Sequence, residues 1–279
     1  MRRTVAFILA VSTLIPLGLS AQSPDSSRVR RRPPVITWLD AGTLGLGLAG
    51  SLALMGVDER IARRLQEDRY QGNSTYQDVS DVAAAINEKS LFAAGIVTYG
   101  IAKLVHAPRT TTDIAWHTTE SIFVASATST VIRGILGRSR PFVTLDTLTR
   151  DRNAHDYKPG KGFTQLAYRA YPSIHAASAF ATAAALTAET ALHSRRAAYV
   201  VGPISYSIAA LPGLARMYKD KHWASDVAMG AALGAVSGWA TVRYHHHRPN
   251  NKLDRTFIGS IPTATMADGQ IGLAWGFTF

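Results

Sequence analysis

The sequence predicts an all-α protein, a six-helix bundle closed by a small C-terminal β-hairpin. Three observations carry that expectation. Six apolar segments rich in Ala, Leu and small residues run over roughly 40–57, 80–105, 113–137, 174–193, 197–215 and 223–243, and their length and composition favour helix over strand. The longest irregular stretch lies between Pro141 and Tyr171, where Asp, Asn, Gly, Pro and Lys argue for an ordered loop. From Arg255 the pattern changes. Ile271, Leu273, Trp275, Phe277 and Phe279 alternate with Gly272, Ala274, Gly276 and Thr278, the period of a strand, after a turn at Ala267-Asp268-Gly269. An outer-membrane barrel uses the same alternation, but one hairpin cannot close a barrel, so a structural cap on the helices is expected.

The amino terminus reads as an address. Met1-Arg2-Arg3, an apolar run from Val5 to Leu19 and the small residues Ser20-Ala21 describe a secretory signal peptide over residues 1–21. Residues 22–36 are polar, basic and proline-bearing, a flexible linker. The helical domain then occupies 37–248 and the hairpin extension 249–279. Within the domain, the charged amphipathic stretch from Asp58 to Asp68 predicts a short surface helix. Cysteine is absent, which excludes disulfides, a thiol nucleophile and thiolate metal sites. The formal net charge of +11 favours anionic partners, a membrane surface included. The one dense basic run, Arg28 to Arg32, has no interleaved aromatics, so no nucleic-acid partner is expected.

Membrane topology stays open at this level. Ala41 to Val57 is free of charge for 17 residues, the lower limit of a span. The third segment carries His117, Glu120 and Arg133, the fourth is mostly alanine with Glu189, and the mean hydropathy is only +0.02. Against this, the basic loops Lys103–Arg109, His193–Arg196 and Arg243–Lys252 would share one side, as in a spanning bundle. A soluble or docked bundle and a spanning one both fit, and the oligomeric state is not written in the sequence.

Chemistry concentrates in three clusters. Arg133 and Arg140-Pro141 come first, and Pro141 pushes Arg140 out of helix, so the pair sits at a helix end. Pro172-Ser173-Ile174-His175 opens the alanine-rich segment, where free backbone N–H groups and the dipole suit an oxyanion. Arg216, His222 and Asp226 form the third, and on a helix Asp226 would lie one turn beyond His222 and accept its ring N–H. Three guanidiniums can each donate paired hydrogen bonds to a multi-oxygen anion such as phosphate. Two histidines can divide nucleophile and general acid between them. Each cluster alone also suits a solvated helix end, a helix cap or a surface ion pair.

Together, in this order, they resemble the type 2 phosphatidic acid phosphatase and vanadium-dependent haloperoxidase superfamily. The family pattern is Lys-six residues-Arg-Pro, then Pro-Ser-Gly-His, then Ser-Arg-five residues-His-three residues-Asp. Every spacing matches across residues 133–226, with Arg133 in place of the lysine, Ile174 of the glycine and Ala215 of the serine. The resemblance implies a six-helix bundle of the acid phosphatase and haloperoxidase type over most of residues 40–243. It implies a phosphatase acting on a phosphate monoester or diphosphate, with a lipid phosphate or small phosphate ester as partner. With the signal peptide over residues 1–21, the expected location is the periplasmic side of a bacterial cell envelope, soluble or membrane-associated. His222 would attack phosphorus, Asp226 orient it, and His175 protonate the leaving oxygen and then activate water. Arg133, Arg140, Ser173, the Ile174 amide and Arg216 would bind the phosphate. No metal and no cofactor is implied, although vanadate can mimic the phosphate. A vanadate-dependent haloperoxidase and a degenerate, non-catalytic phosphate-binding protein are the alternatives. Ile174 fills space that glycine leaves open, and Phe142, Tyr157, Phe163, Tyr168 and Tyr171 are available to shape access or to pack the loop.

Three other patterns carry less. Gly45-Leu46-Gly47-Leu48-Ala49-Gly50 has the dinucleotide fingerprint spacing but lies inside an apolar helix, where small residues serve close packing. His245-His246-His247 reads as a polar helix terminus, because adjacent residues cannot all face one ion. His117 and Glu120 lack further ligands nearby in sequence, so buried polar contacts within the bundle are expected of them.

Overall fold

A computed structural model of the chain describes residues 33–249, 251–257, 261–267 and 270–276. The signal-peptide reading of 1–21 falls outside them. The described residues are predominantly helical, and the expected count of six helices is an undercount. They form α1 (Trp38–Met55), α2 (Asp58–Leu65), α3 (Asp68–Gln71), α4 (Ser74–Ala85), α5 (Glu88–Leu104), α6 (Arg109–Leu136), α7 (Ile174–His193), α8 (Arg195–Tyr218), α9 (Ala224–His247) and α10 (Lys252–Phe257). Two strands follow, β1 (Ile261–Ala267) and β2 (Gln270–Gly276), paired antiparallel with Ile261 opposite Gly276 and Ala267 opposite Gln270. The turn residues 268–269 and the last three residues lie outside the described set.

Local chemistry sets the boundaries. Thr37 and Asp40 form a reciprocal cap at the start of α1, with the Thr37 N–H donating to Asp40 Oδ2 at 2.7 Å. The apolar segment expected over 80–105 breaks at Ile86-Asn87. Asn87 accepts from the N–H groups of Lys89 and Ser90 and so starts a new helix, α5. Helix α6 stops at Gly137, which adopts φ 60°, ψ 41°. A Cβ there would sit 1.9 Å from the Lys158 carbonyl oxygen, so the loop passes too close for any other residue.

The centre of the bundle is α7 against α9, and its material is small. Ala177 and Ala181 of α7 are fully buried. Their backbones face Gly234 and Gly238 of α9, where a Cβ would stand 2.1 Å from the Ala177 carbonyl and 2.6 Å from that of Ala181. Alanine and glycine let the two backbones approach, and close van der Waals contact replaces bulky side chains. Helices α1, α6 and α8 pack around this pair. The glycine-rich run of α1 works in the same way, with Gly47 pressed on Ala232 of α9.

Two expectations about the periphery change. The stretch from Asp58 is more than a surface helix, since Asp58 is buried at the start of α2. The part of the expected flexible linker that is described is fastened, because Arg243 donates from Nε to the Val35 carbonyl at 3.0 Å and pairs with Asp40.

Candidate active site

The carboxyl ends of α6 and α8 and the amino ends of α5, α7 and α9 meet at one end of the bundle. Arg133 lies in the last turn of α6 and Arg216 in the last turn of α8. Arg140 is on the segment after α6, its N–H bonded to the Ala167 carbonyl at 3.0 Å. Ser173 caps α7, Ile174 is its first residue and His175 its second. Asp226 is in the first turn of α9. His222 sits just ahead of that helix, so the expected helical i,i+4 relation with Asp226 is replaced by a turn that leads into the α9 cap.

The rings of His175 and His222 are 6.2 Å apart between centroids. His222 is 2 % exposed, and neither of its ring nitrogens has a hydrogen-bond partner among the described residues. The Nε of each of Arg133, Arg140 and Arg216 and the Nδ1 of His175 are likewise buried and unpartnered. Burial, then the charges of Arg216, the second imidazole, Arg140 and Arg133, push His175 down to about 2. Burial followed by the same three arginines holds His222 well below its ordinary value, with the Ala170 backbone opposing. Arg140 is lowered to about 10 by burial and by Arg216 and Arg133. A cluster this electropositive, with donors unspent, suits an anion with several oxygens.

Asp226 is fully buried and committed on both oxygens. Oδ1 accepts from Arg138 Nη1 at 2.6 Å and Oδ2 from the Trp223 N–H at 2.8 Å. Its distance to His222 Nδ1 is 3.4 Å, an electrostatic contact looser than the ring hydrogen bond expected from sequence. Burial raises Asp226 to about 6 against the opposing charge of Arg138.

Arg138, Asp58 and Glu88 also belong to the site's frame, and the sequence reading does not contain them in that role. Arg138, with no exposure, donates to Ser225 Oγ at 2.6 Å, Asp58 Oδ2 at 2.8 Å and the Ala154 carbonyl as well as to Asp226. Asp58 also accepts from the Ser225 N–H at 3.0 Å. Glu88, from the first turn of α5, places Oε2 3.8 Å from His175 Nε2, and that oxygen is buried without a hydrogen bond. The usable signal for Arg138 was an extra arginine inside Gly137-Arg138-Ser139-Arg140-Pro141. For Glu88 it was a carboxylate directly after a capping asparagine.

The aromatic residues of the loop divide between packing and exposure. Tyr171 is buried and accepts from Ser51 at 3.2 Å. Tyr157 covers Arg138, while Tyr168 faces Lys158 and Lys161. Phe142 lies by Lys221, and Phe163 lies over Gly134 with its outer side exposed.

The family model described as the PAP2 superfamily matches residues 114–250. A lipid A 1-phosphatase of Porphyromonas gingivalis is 42 % identical over 72 residues, 26 % of this chain and 15 % of that protein. The match therefore spans well under two thirds of that relative's length. A solved transmembrane PAP2 type phosphatidylglycerolphosphate phosphatase from Bacillus subtilis is 17 % identical with a TM-score of 0.39, covering 72 % of this chain and 98 % of that one. With the three motif blocks in order between Arg133 and Asp226 and the family's model laid over them, residues 114–250 belong to the PAP2 superfamily.

Proposed function

We propose that this chain is a phosphoric ester hydrolase that releases phosphate from a lipid phosphate monoester or diphosphate through a phosphohistidine. The observation that carries the reading is the convergence of three guanidiniums with buried, unpartnered Nε groups on the buried imidazole of His222 and the partly buried one of His175. Arg133, Arg140 and Arg216, with the Ser173 hydroxyl and the Ile174 N–H, hold the phosphate oxygens. The neutral His222 attacks phosphorus, so a P–N bond forms as the P–O bond to the leaving group breaks. Its low proton affinity keeps the lone pair free. His175 gives its proton to the leaving oxygen. The dianionic phosphate offsets the arginine charges and restores the proton affinity that burial removes from this ring. Water then gives a proton to His175 and its oxygen to phosphorus, the P–N bond breaks, and inorganic phosphate leaves. Asp226, held by Arg138, stabilises the positive charge that grows on His222. Charge stabilisation and positioning carry phosphoryl transfer, and three arginines supply both, so the reaction needs no metal or other cofactor. Vanadate would bind as a mimic of the trigonal phosphorus.

The lipid part of the proposal rests on the apolar flank. Helices α1 and α8 are long and apolar enough to cross a membrane, and little of either is buried in the bundle. Leu46 and Leu52 of α1 and Val200, Ile204 and Ile208 of α8 are exposed. The protein is membrane-associated, with the site on the outer side and the basic far end on the inner side, as the positive-inside rule requires.

His222→Ala tests the mechanism. Phosphate release from phosphatidic acid in mixed micelles should fall by at least about 1,000-fold, since a nucleophile is lost. Retained release would remove His222 from that role. Halide-dependent peroxide consumption with vanadate, in place of phosphate release, would make the protein a haloperoxidase. Release from wild type in the same assay disposes of a non-catalytic scaffold.

A further inference from the structure

The far end of the bundle holds a second buried cluster, about 21 Å away along α7 if 14 residues separate His175 from Glu189 at 1.5 Å each. His117 of α6, Glu189 of α7, His245 and His246 of α9 and Asp254 of α10 come together there. Sequence spacing hides it, because 128 positions separate His117 from His245. We propose that His117, His245 and Asp254 bind a divalent first-row transition ion of the zinc class, which staples α10 to the bundle.

Three features point to a metal ion over a plain ion-pair network. One ligand atom each of His117, His245 and Asp254 lies within 4.8 Å of the other two, and Asp254 Oδ1 faces both His117 Nε2 and His245 Nδ1. His117 is 2 % exposed, yet its Nε2 has no hydrogen-bond partner and stands 3.7 Å from Asp254 Oδ1. A buried imidazole nitrogen facing a carboxylate and a second ring nitrogen without a bond is a ligand in waiting.

The outer nitrogens complete the pattern. His117 Nδ1 is 2.5 Å from Glu189 Oε1, and His245 Nε2 is 2.6 Å from Glu120 Oε2. Each carboxylate can hold the proton on the outer nitrogen, which turns the inner nitrogens of both rings, His117 Nε2 without a bond and His245 Nδ1 paired with Asp254, toward the same Asp254 carboxylate, the carboxylate–histidine–metal relay common in metal sites. The rings stack at 4.0 Å between centroids with 16° between planes, so one imidazole turns about its Cβ–Cγ bond to bring its inner nitrogen onto the ion. Among the ion pairs of the described residues, Glu120, Glu189 and Asp254 meet only histidines. A divalent ion balances that buried negative charge with both inner nitrogens neutral. Two imidazoles and one carboxylate are a donor set for zinc-class ions, and water completes the coordination.

Untagged full-length protein should retain about one equivalent of such an ion by elemental analysis after gel filtration. Chelation should lower the melting temperature and zinc restore it, while cobalt should give the visible absorption of a low-coordinate nitrogen–oxygen site. His245→Ala and the milder Asp254→Asn should both lose the ion and the thermal response to it, whereas His246→Ala should keep them. No bound ion and no chelator effect on folded wild-type protein would overturn the site. Stoichiometric metal in both His245→Ala and Asp254→Asn, or its loss in His246→Ala alone, would equally overturn the ligand assignment. The cobalt spectrum of wild type decides the matter should either variant fold poorly.

Discussion

Arg138 is where three parts of the chain meet in one side chain, since it joins α2 through Asp58, the loop through Ala154, and α9 through Ser225 and Asp226. Taking its charge away leaves two buried carboxylates facing each other. Arg138→Met should therefore destabilise the fold by about 3–5 kcal/mol in urea unfolding. The added double variant Asp58→Asn should recover part of the loss, because one stranded charge disappears. The residues proposed to meet the substrate are legible in sequence because chemistry restricts them to a few types at fixed spacings. The residues that hold them are not. Arg138 reads as one more basic residue at a helix end, and only burial at zero exposure separates it from a solvated one. Asp58 is still less visible, since its partners lie 80 and 167 positions away. The histidines at the far end fail for the same reason, because spacing along one helix says nothing of a ligand on another.

Small residues decide the packing between elements. Adding a methyl group at Gly234 would bring it 2.1 Å from the Ala177 carbonyl, so α7 and α9 would have to separate. Gly234→Ala should cost about 1–3 kcal/mol by thermal unfolding. Gly100→Ala on α5, where no atom lies within 4 Å, should be neutral or stabilising by up to about 1 kcal/mol. Opposite signs for one chemical change would confirm that backbone approach, and not helix propensity, dominates at Gly234. The long helices were legible from their apolar runs. The break at Ile86-Asn87 is not legible, since the hydrophobic pattern continues across it and only the asparagine cap interrupts the backbone. Asn87 therefore moves Glu88 to the opening of a helix that points at His175.

At the scale of the molecule, the ends of the bundle differ while its flank is apolar. One end gathers arginines around two neutral imidazoles, and the other gathers carboxylates around stacked ones. Leu46, Phe123, Val131, Val200 and Ile204 lie exposed between them. Burying such a belt in lipid recovers apolar area that no part of the described chain covers. The protein should stay in the membrane pellet through an alkaline carbonate wash and appear in solution only with detergent. Release by carbonate alone would place the bundle on the membrane surface. The sequence left this question open because its average hydropathy mixes an apolar flank with two polar ends.

The carboxylate of Asp58 and the hydroxyl of Ser51 both reach the segment that opens α9, though neither lies within residues 114–250. The motif-bearing stretch is thus not a self-sufficient module: cut out alone, it would keep all three motif blocks and lose Asp58, one of the two carboxylates that hold Arg138. Change in the leading helices therefore has a direct route, through Arg138, to Asp226.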